Sequence, residues 1–452
     1  MFLFLQLFVI SCFIVVIIAL FNEKTDFLIF SIAAMFAAAV ATFILLPGAV
    51  IIEDIILAIN WEIVFFLISL FTIVEVLEDK RIFEEIALRI TNKYQTNTRK
   101  FFWVMCIFAI LCAAFIEDIS VAIIFIPMTI RTCQKMDVNP APFLLGITIC
   151  INLASTLTPF GSAENLIIAN KFGLTSTWFF LNMGVYFLIT TLLTLFLLDH
   201  FVLKKSLKEI WLPHCMINEE PLEMQHIKAH ELLIVEEPIE KNVFNRNIAA
   251  LLVFIVLLFL IPNILFVGIL GALMFVVINP RKNKDGKKRP DISFYLSKVD
   301  YTLVFFFICL FVLAFCMEVN GTVLVIKNII ISASPDDLFL ICILILIVTS
   351  ILSGFLDNVP VTVLFIPIFH VLIIGVGFAA TPLLIAFILG INLGGNFLPQ
   401  GSACDMMTLE LAKKNYVQDL DYKRLLKVGG LFALLHIILG IAYLAFIIFI
   451  FY

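Results

Sequence analysis

Long apolar runs separated by short polar connectors fill the chain. Uninterrupted runs fall at about 2–21, 27–46, 61–78, 178–200, 248–264, 266–280, 300–318 and 427–451. Most approach the roughly 20 residues that cross a hydrocarbon core about 30 Å thick. Four more apolar segments, 101–132, 142–170, 337–373 and 381–410, are interrupted by Gly, Pro, Asn and acidic residues. Polar connectors occupy 80–100, 203–246, 281–298 and 411–427. The pattern predicts an all-α polytopic membrane protein. One connector has a period of its own: in "KRIFEEIALRITNKY", Ile82, Phe83, Ile86 and Ile90 share a helical face. That spacing predicts a helix lying along the cytoplasmic membrane surface.

Composition agrees. The 452 residues are 63% hydrophobic and 14% charged, with mean hydropathy +1.14, whereas soluble domains carry about 25% charged residues. The net charge of −5 averages over the connectors and points to no partner, nucleic acid included. Ten cysteines sit mostly in apolar segments without a CxxC pair, as small buried hydrophobes do. No basic residue precedes Lys24, so the first run reads as a retained spanning helix rather than a signal peptide. The expected location is the cell membrane, multi-pass.

The interrupted segments repeat. "FIEDISVAIIFIPMTI" (115–130) aligns with "FLDNVPVTVLFIPIFH" (355–370) at an offset of 240 residues. At the same offset and without a gap, "INLASTLTPFGSA" (151–163) falls on "INLGGNFLPQGSA" (391–403), Pro142 on Pro382 and Glu78 on Glu318. Agreement at proline, asparagine, glycine and serine is hard to reach by chance between two oily segments. A duplicated unit of this kind is common among transporters.

Loop charge orients the halves, because cytoplasmic loops gather Lys and Arg. Connector 80–100 carries Lys80, Arg81, Arg89, Lys93, Arg99 and Lys100, while its counterpart 319–338 carries only Lys327. Arg131 and Lys135 follow the first hairpin segment, and no basic residue lies in 371–381. Each half then has five crossings plus one re-entrant hairpin. Residues 101–132 dip in from the cytoplasm and 337–373 from outside. Five is odd, so the second repeat is inverted and both termini lie outside. Lys171, expected outside, fits this scheme poorly. The expected organisation is a first repeat at 1–202 (hairpin 101–132, broken helix 142–170), a cytoplasmic loop at 203–246, and a second repeat at 247–452 (hairpin 337–373, broken helix 381–410).

Broken backbone at membrane depth survives only when it is buried in protein or lines a cavity. Four such places occur: the tips "IEDIS" (116–120) and "LDNVP" (356–360), and the breaks "STLTPFGSAEN" (155–165) and "GGNFLPQGSACD" (394–405). At the tips, short helices are expected to begin at Ser120 and Pro360. Helix N-termini and unwound carbonyls can meet ions. Glu117, Asp118, Asp357, Glu164 and Asp405 are costly at this depth unless they have a task. Capping is the plain alternative for Asp118, Asp357 and Asn358, and back-bonding to a helix carbonyl the plain alternative for Ser162 and Ser402. Position-matching across the repeat favours a site. No GxxxxGK[ST] loop or HExxH motif is present. The six histidines form no ligand cluster, and His436 reads as a packed or interfacial residue.

At these residues the chain resembles the ion transporter superfamily, which holds citrate-transporter-like permeases, arsenite permeases, NhaD-type Na⁺/H⁺ antiporters and divalent anion–sodium symporters. "FLDNVPVTVLFIP" is similar to the family's second hairpin and "INLGGNFLPQGSACDMMTLELAKKN" to its broken helix; the likeness runs from about residue 25 onward. It implies substrate and coupling ion held between tips and breaks, with an elevator-like motion in a homodimer. Carried over residue by residue, the implied binding positions are Glu117, Asp118, Ser120, Thr156, Thr158, Gly161, Ser162, Asp357, Asn358, Asn396, Gly401, Ser402 and Asp405. Asp118, Ser120, Asp357 and Asn358 are the candidate Na⁺ ligands. Symporters of dicarboxylates carry Ser-Asn-Thr at each tip, whereas Asp118-Ile119-Ser120 and Asn358-Val359-Pro360 stand here, closer to the arsenite-permease and NhaD-type branch. Asp405 stands where related chains often have Asn.

The expected function is secondary active transport of a small anion or oxyacid, coupled to H⁺ or Na⁺ and without another cofactor. A Na⁺/H⁺ antiporter of the NhaD type is the alternative, an ion channel is the more distant one, and no enzyme is expected.

Overall fold

The computed structural model describes residues 2–20, 26–48, 50–94, 96–207, 239–282, 288–333, 337–356, 358–417 and 419–452. Almost all of them are helical, and eight helices are long and apolar enough to cross a membrane. The one extended pairing among the described residues sets Arg281–Lys282 against Lys288–Arg289.

Helix bounds recur at the offset that the repeat suggested. Trp61–Asp79 returns as Tyr301–Val319, and short Ile52–Leu57 as Ile292–Leu296. The first hairpin is Thr98–Ala113 with Asp118–Lys135; the second is Leu338–Phe355 with Asn358–His370, continued by a π-helical turn at Val371–Val376. The broken crossings are Ala141–Ala154 with Ala163–Phe172, and Ala380–Gly394 with Ala403–Lys414. Their first halves form the centre of the protein. Every residue of Ala141–Ala154 is buried, as is every residue from Pro382 to Gly394. A helix that is apolar all round belongs in such a place. At the periphery, Phe2, Leu3, Phe36, Leu181, Leu192, Leu260, Phe266 and Phe449 stand exposed; lipid covers such faces.

Packing crosses between the halves. Ile264–Ile278 lies on Trp61–Asp79, and Phe27–Leu45 lies on Tyr301–Val319. Asp118–Lys135 packs on Ala403–Lys414, and Asn358–His370 on Ala163–Phe172. Each hairpin therefore places its tip beside the break of the other half.

Several boundaries differ from those expected. The tip helices begin two residues early, at Asp118 and Asn358. Glu117 caps the first by accepting from the Ser120 N–H at 3.1 Å. Pro360 fits the second within its first turn, where backbone N–H groups have no intrahelical partner anyway. The helix expected at 248–264 runs from Lys241 to Leu260, so the end of the supposed 203–246 loop is helical; residues 208–238 lie outside those described. Pro262 interrupts it, and Asn263 caps the next helix by accepting from the Phe266 N–H. Asp421 likewise starts the last helix at Tyr422, ahead of the expected 427. A capping side chain contributes about 1 kcal/mol, enough to move a boundary by a turn. A helix forms at Ile82–Tyr94, where one was expected from the spacing, and its Ile82 and Phe83 are buried.

Contacts gather the connectors at two ends. At one end Arg99 binds Asp199, Asn139 donates to Asp419, Thr91 meets Thr132, Tyr295 donates to Asp79, and the Arg89 guanidinium lies over Phe244. At the other, Gln6 donates to the Asn320 carbonyl, Asn170 to Glu62 and Ser176 to the Leu258 carbonyl. Lys171 follows Asn170 directly and so belongs to the less basic end, against its own charge.

Candidate functional site

The two broken crossings meet through a buried set of hydrogen bonds that repeats at the 240-residue offset. In one direction, Asn152 donates to Asp405 Oδ1 at 3.0 Å and accepts from Ser402 Oγ at 2.9 Å. In the other, Asn392 donates to Asn165 Oδ1 at 2.8 Å and accepts from Ser162 Oγ at 3.2 Å. Asn152 pairs with Asn392 across the repeat, Ser162 with Ser402, and Asn165 with Asp405. Asn152 also donates to Asn396 Oδ1 at 2.7 Å, and Thr148 donates to Asp405 Oδ1 at 2.5 Å. All of these side chains are at most 4% exposed. In so dry an interior each bond gains strength, and each unpaired group is costly.

The tips frame a cavity of about 40 Å³, lined by Glu117, Asp118, Glu164, Asn358, Gly401 and Phe307 among others. About 10–15 Å³ accommodates one water, so this space suits a bare ion or a few waters. Among the described residues, no Lys or Arg lines it. Asn358 bridges the halves: its Nδ2 donates to Glu164 Oε1 at 3.0 Å, and its Oδ1 accepts from the Ser353 hydroxyl. Glu117 holds both the backbone N–H and the hydroxyl of Ser120. Asp118 accepts from the Ile119 N–H.

The structure thus divides the expected residues. Glu117, Asp118, Asn358 and Gly401 line the cavity, with Ser120 bonded to Glu117. Ser162, Asn396, Ser402 and Asp405 belong to the crossing network. Thr156 and Thr158 face backbone instead: the first donates to the Leu153 carbonyl at 2.7 Å. The second donates to the Ala114 carbonyl and accepts from the Phe160 and Gly161 N–H groups. Gly161 and Gly401 let each break press against the turn of its own hairpin. A Cβ on Gly161 would lie 2.8 Å from the Ala113 carbonyl oxygen, and one on Gly401 would lie 2.7 Å from that of Ser353. Asp357 lies outside the described residues. Among those described, no group of three or more His, Cys, Asp or Glu is placed to hold a metal ion.

Asn152, Asn392, Asn165 and Thr148 escaped the sequence reading. The signal for the first two was present, since "INL" opens both copies of the repeated stretch with asparagine in an otherwise apolar helix. His436 is fully buried and bonds through Nε2 to the Thr194 hydroxyl at 2.8 Å, as a packed residue.

Known proteins resemble the chain over most of its length. A family model described as "Citrate transporter" matches residues 13–390 and 291–452. The "46 kDa membrane protein" of Mycobacterium leprae is 24% identical over 369 residues, 78% of this chain and 79% of that protein. An "Uncharacterized transporter" of Mycobacterium tuberculosis is 23% identical over 393 residues, covering 85% of this chain and 86% of its own. The mouse "P protein" is 23% identical over 461 residues, 85% of this chain but 54% of its own length. Among solved structures, the YdaH transporter of Alcanivorax borkumensis superposes with a TM-score of 0.60 at 11% identity, covering 99% of this chain and 97% of its own. At that identity the likeness concerns the fold.

Proposed function

Because the chain belongs to the citrate transporter family, we propose that this membrane transporter works by secondary active transport, moving a small anion or oxyacid coupled to H⁺ or Na⁺. One observation carries the reading: two broken crossings bond reciprocally at the centre, and each hairpin tip stands beside the break of the opposite half around a small cavity. Broken helices buried in this way offer N–H groups and carbonyls to a solute without exposing backbone to lipid. In this reading the two 240-residue-offset halves are inverted repeats, the solute enters between tips and breaks, and Asp118, Ser120 and Asn358, with Asp357, hold the coupling cation. A homodimer is part of the same reading, carried over from the family resemblance.

A second reading, Na⁺/H⁺ antiport, draws support from the lining of the cavity. Glu117, Asp118 and Glu164 contribute carboxylates, and among the described residues no Lys or Arg lines the space. A locally negative space of about 40 Å³ suits a bare cation better than a polyanion.

Proteoliposomes holding the full chain decide between them. Citrate, sulfate, arsenite and Na⁺ are each offered under an imposed pH gradient and an imposed Na⁺ gradient. Uphill uptake of an anion or oxyacid supports the first reading. Na⁺ movement against an opposing proton gradient supports the second. Flux that only runs downhill and scales with voltage would make the protein a channel and defeat both.

A further inference from the structure

The reciprocal bonds between the two breaks match at the 240-residue offset, but Asn165 in the first half is replaced by Asp405 in the second. Asn165 does two things in the first half. Its Oδ1 accepts from Asn392, and its Nδ2 donates to the Ser155 carbonyl at 2.5 Å and the Thr158 carbonyl at 3.2 Å. The amide thereby ties the first break shut. Asp405, 240 residues on, keeps the first task through Oδ1, which accepts from Asn152 and Thr148. The second task needs a hydrogen, and an ionised carboxylate has none. The carbonyls in register with Ser155 and Thr158 belong to Gly395 and Leu398 of the second break.

We propose that Asp405 is the proton-carrying group of the transport cycle: protonated, it supplies the hydrogen that the Asn165 amide supplies in the first half and ties the second break; ionised, it releases that break. This rests on the coupled-transporter reading above. The proton arrives from water on one side and returns to water on the other, so no further reactant is needed.

A second, independent feature lies in the same network. Asn396 is 1% exposed; its Oδ1 is taken by Asn152, yet its Nδ2 has no partner. A buried amide donor left unmade costs about 1–3 kcal/mol. An oxygen of the solute, entering the second break when it is released, supplies the acceptor that this donor lacks. Proton release and solute capture thus act on one short stretch of chain, 395–405.

Among the described residues, the elements packed on this helix bring no cation close to Asp405. The helix Ala403–Lys414 packs on Asp118–Lys135 and on Ala141–Ala154. The first of these brings Asp118, with Glu117 just before it, toward Asp405. Its Arg131 lies 13 residues beyond Asp118, about 20 Å along the helix, and Lys135 is farther still. Ala141–Ala154 offers only the Cys150 thiol. On its own helix Asp405 has Cys404 before it, while Glu410, Lys413 and Lys414 lie in the later turns.

Infrared difference spectra of the lipid-reconstituted full chain, taken between about pH 5 and pH 8, test the proposal without a substrate. The wild-type protein is expected to show a buried carboxylic C=O band that disappears in Asp405→Asn. In proteoliposomes with a pH dye inside and citrate, sulfate or arsenite as probe, the protons moved with each solute are expected to fall toward zero in the same variant. An unchanged band, unchanged proton movement, or a loss of Na⁺ dependence with proton dependence intact would each overturn the proposal. Should Asp405→Asn not fold, Asp405→Ser, which retains a polar atom toward Thr148 and Asn152, is read in the same way. If the wild-type protein shows no gradient-driven flux at all, the transport reading fails, while the infrared band still decides the protonation of Asp405.

Discussion

Asn152 makes three hydrogen bonds with side chains of the opposite half, to Asn396, Asp405 and Ser402. Replacing it with alanine leaves the Ser402 hydroxyl and the Asn396 carbonyl without their partner in a dry interior. Such losses cost about 1–3 kcal/mol per stranded group. Asn152→Ala is therefore expected to lower the thermal unfolding temperature in detergent clearly, and Asn392→Ala to do likewise; a change no larger than that of an exposed alanine substitution would refute the network's importance. Close approach gives a second residue-level test. A Cβ on Gly394 would lie 2.4 Å from the Ser350 carbonyl oxygen and 2.6 Å from its Cα, while one on Gly184 meets nothing within 4 Å. Gly394→Ala should cost about 1–3 kcal/mol through overpacking. Gly184→Ala should be neutral or slightly stabilising, and the comparison is read from paired melting curves. Glycine at 394 was visible in the sequence as a helix-breaker; it is the last residue of the helix Ala380–Gly394 and also serves packing. Composition alone cannot tell those two uses apart.

At the scale of elements, the repeat carried most of the reading. Two ungapped stretches located both hairpins and both breaks because proline, asparagine and glycine punctuate an apolar run at the same places. What stayed illegible was decided by single side chains. Glu117 moved a helix start by two residues, and Asn263 moved another by capping. Hydropathy averages over exactly such details and so blurs them. The candidate residues were likewise found as a group, but their division into cavity and network depends on the packing of each hairpin on the opposite break, which no local pattern records. Thr156 and Thr158 looked equivalent to Ser162, yet they spend their hydroxyls on backbone. The tips and breaks make a prediction as paired elements. Gly161→Ala and Gly401→Ala both push a break off its hairpin turn, so each should reduce transport in proteoliposomes severely. If only one did, the halves would not share the work. Asp118→Asn removes a carboxylate from the cavity and should weaken the dependence on the coupling cation, read as a lower uptake at fixed Na⁺ or pH gradient; unchanged dependence would take Asp118 out of the site.

The whole molecule has an end rich in Lys and Arg and an end nearly without them, and the contacts sort the connectors in the same way. Arg99 with Asp199, Asn139 with Asp419 and Tyr295 with Asp79 join connectors that the charge pattern assigns to the cytoplasm. Asn170 with Glu62 and Ser176 with Leu258 join those assigned to the outside. Two independent properties, loop charge and packing, therefore choose the same two groups, and Lys171 falls in the second in spite of its charge. Basic residues orient a membrane protein by their excess across all short loops, so one lysine on the far side is outweighed. The nine described cysteines are all buried; with Cys215, which lies outside the described residues, replaced by serine, the background for site-directed labelling is low. In whole cells, a membrane-impermeant maleimide is expected to label Lys171→Cys directly, and to label Lys93→Cys only after the membrane is opened. The opposite result would turn the molecule over, placing the mouth of the first hairpin outside and reversing the direction in which Asp405 takes and releases its proton.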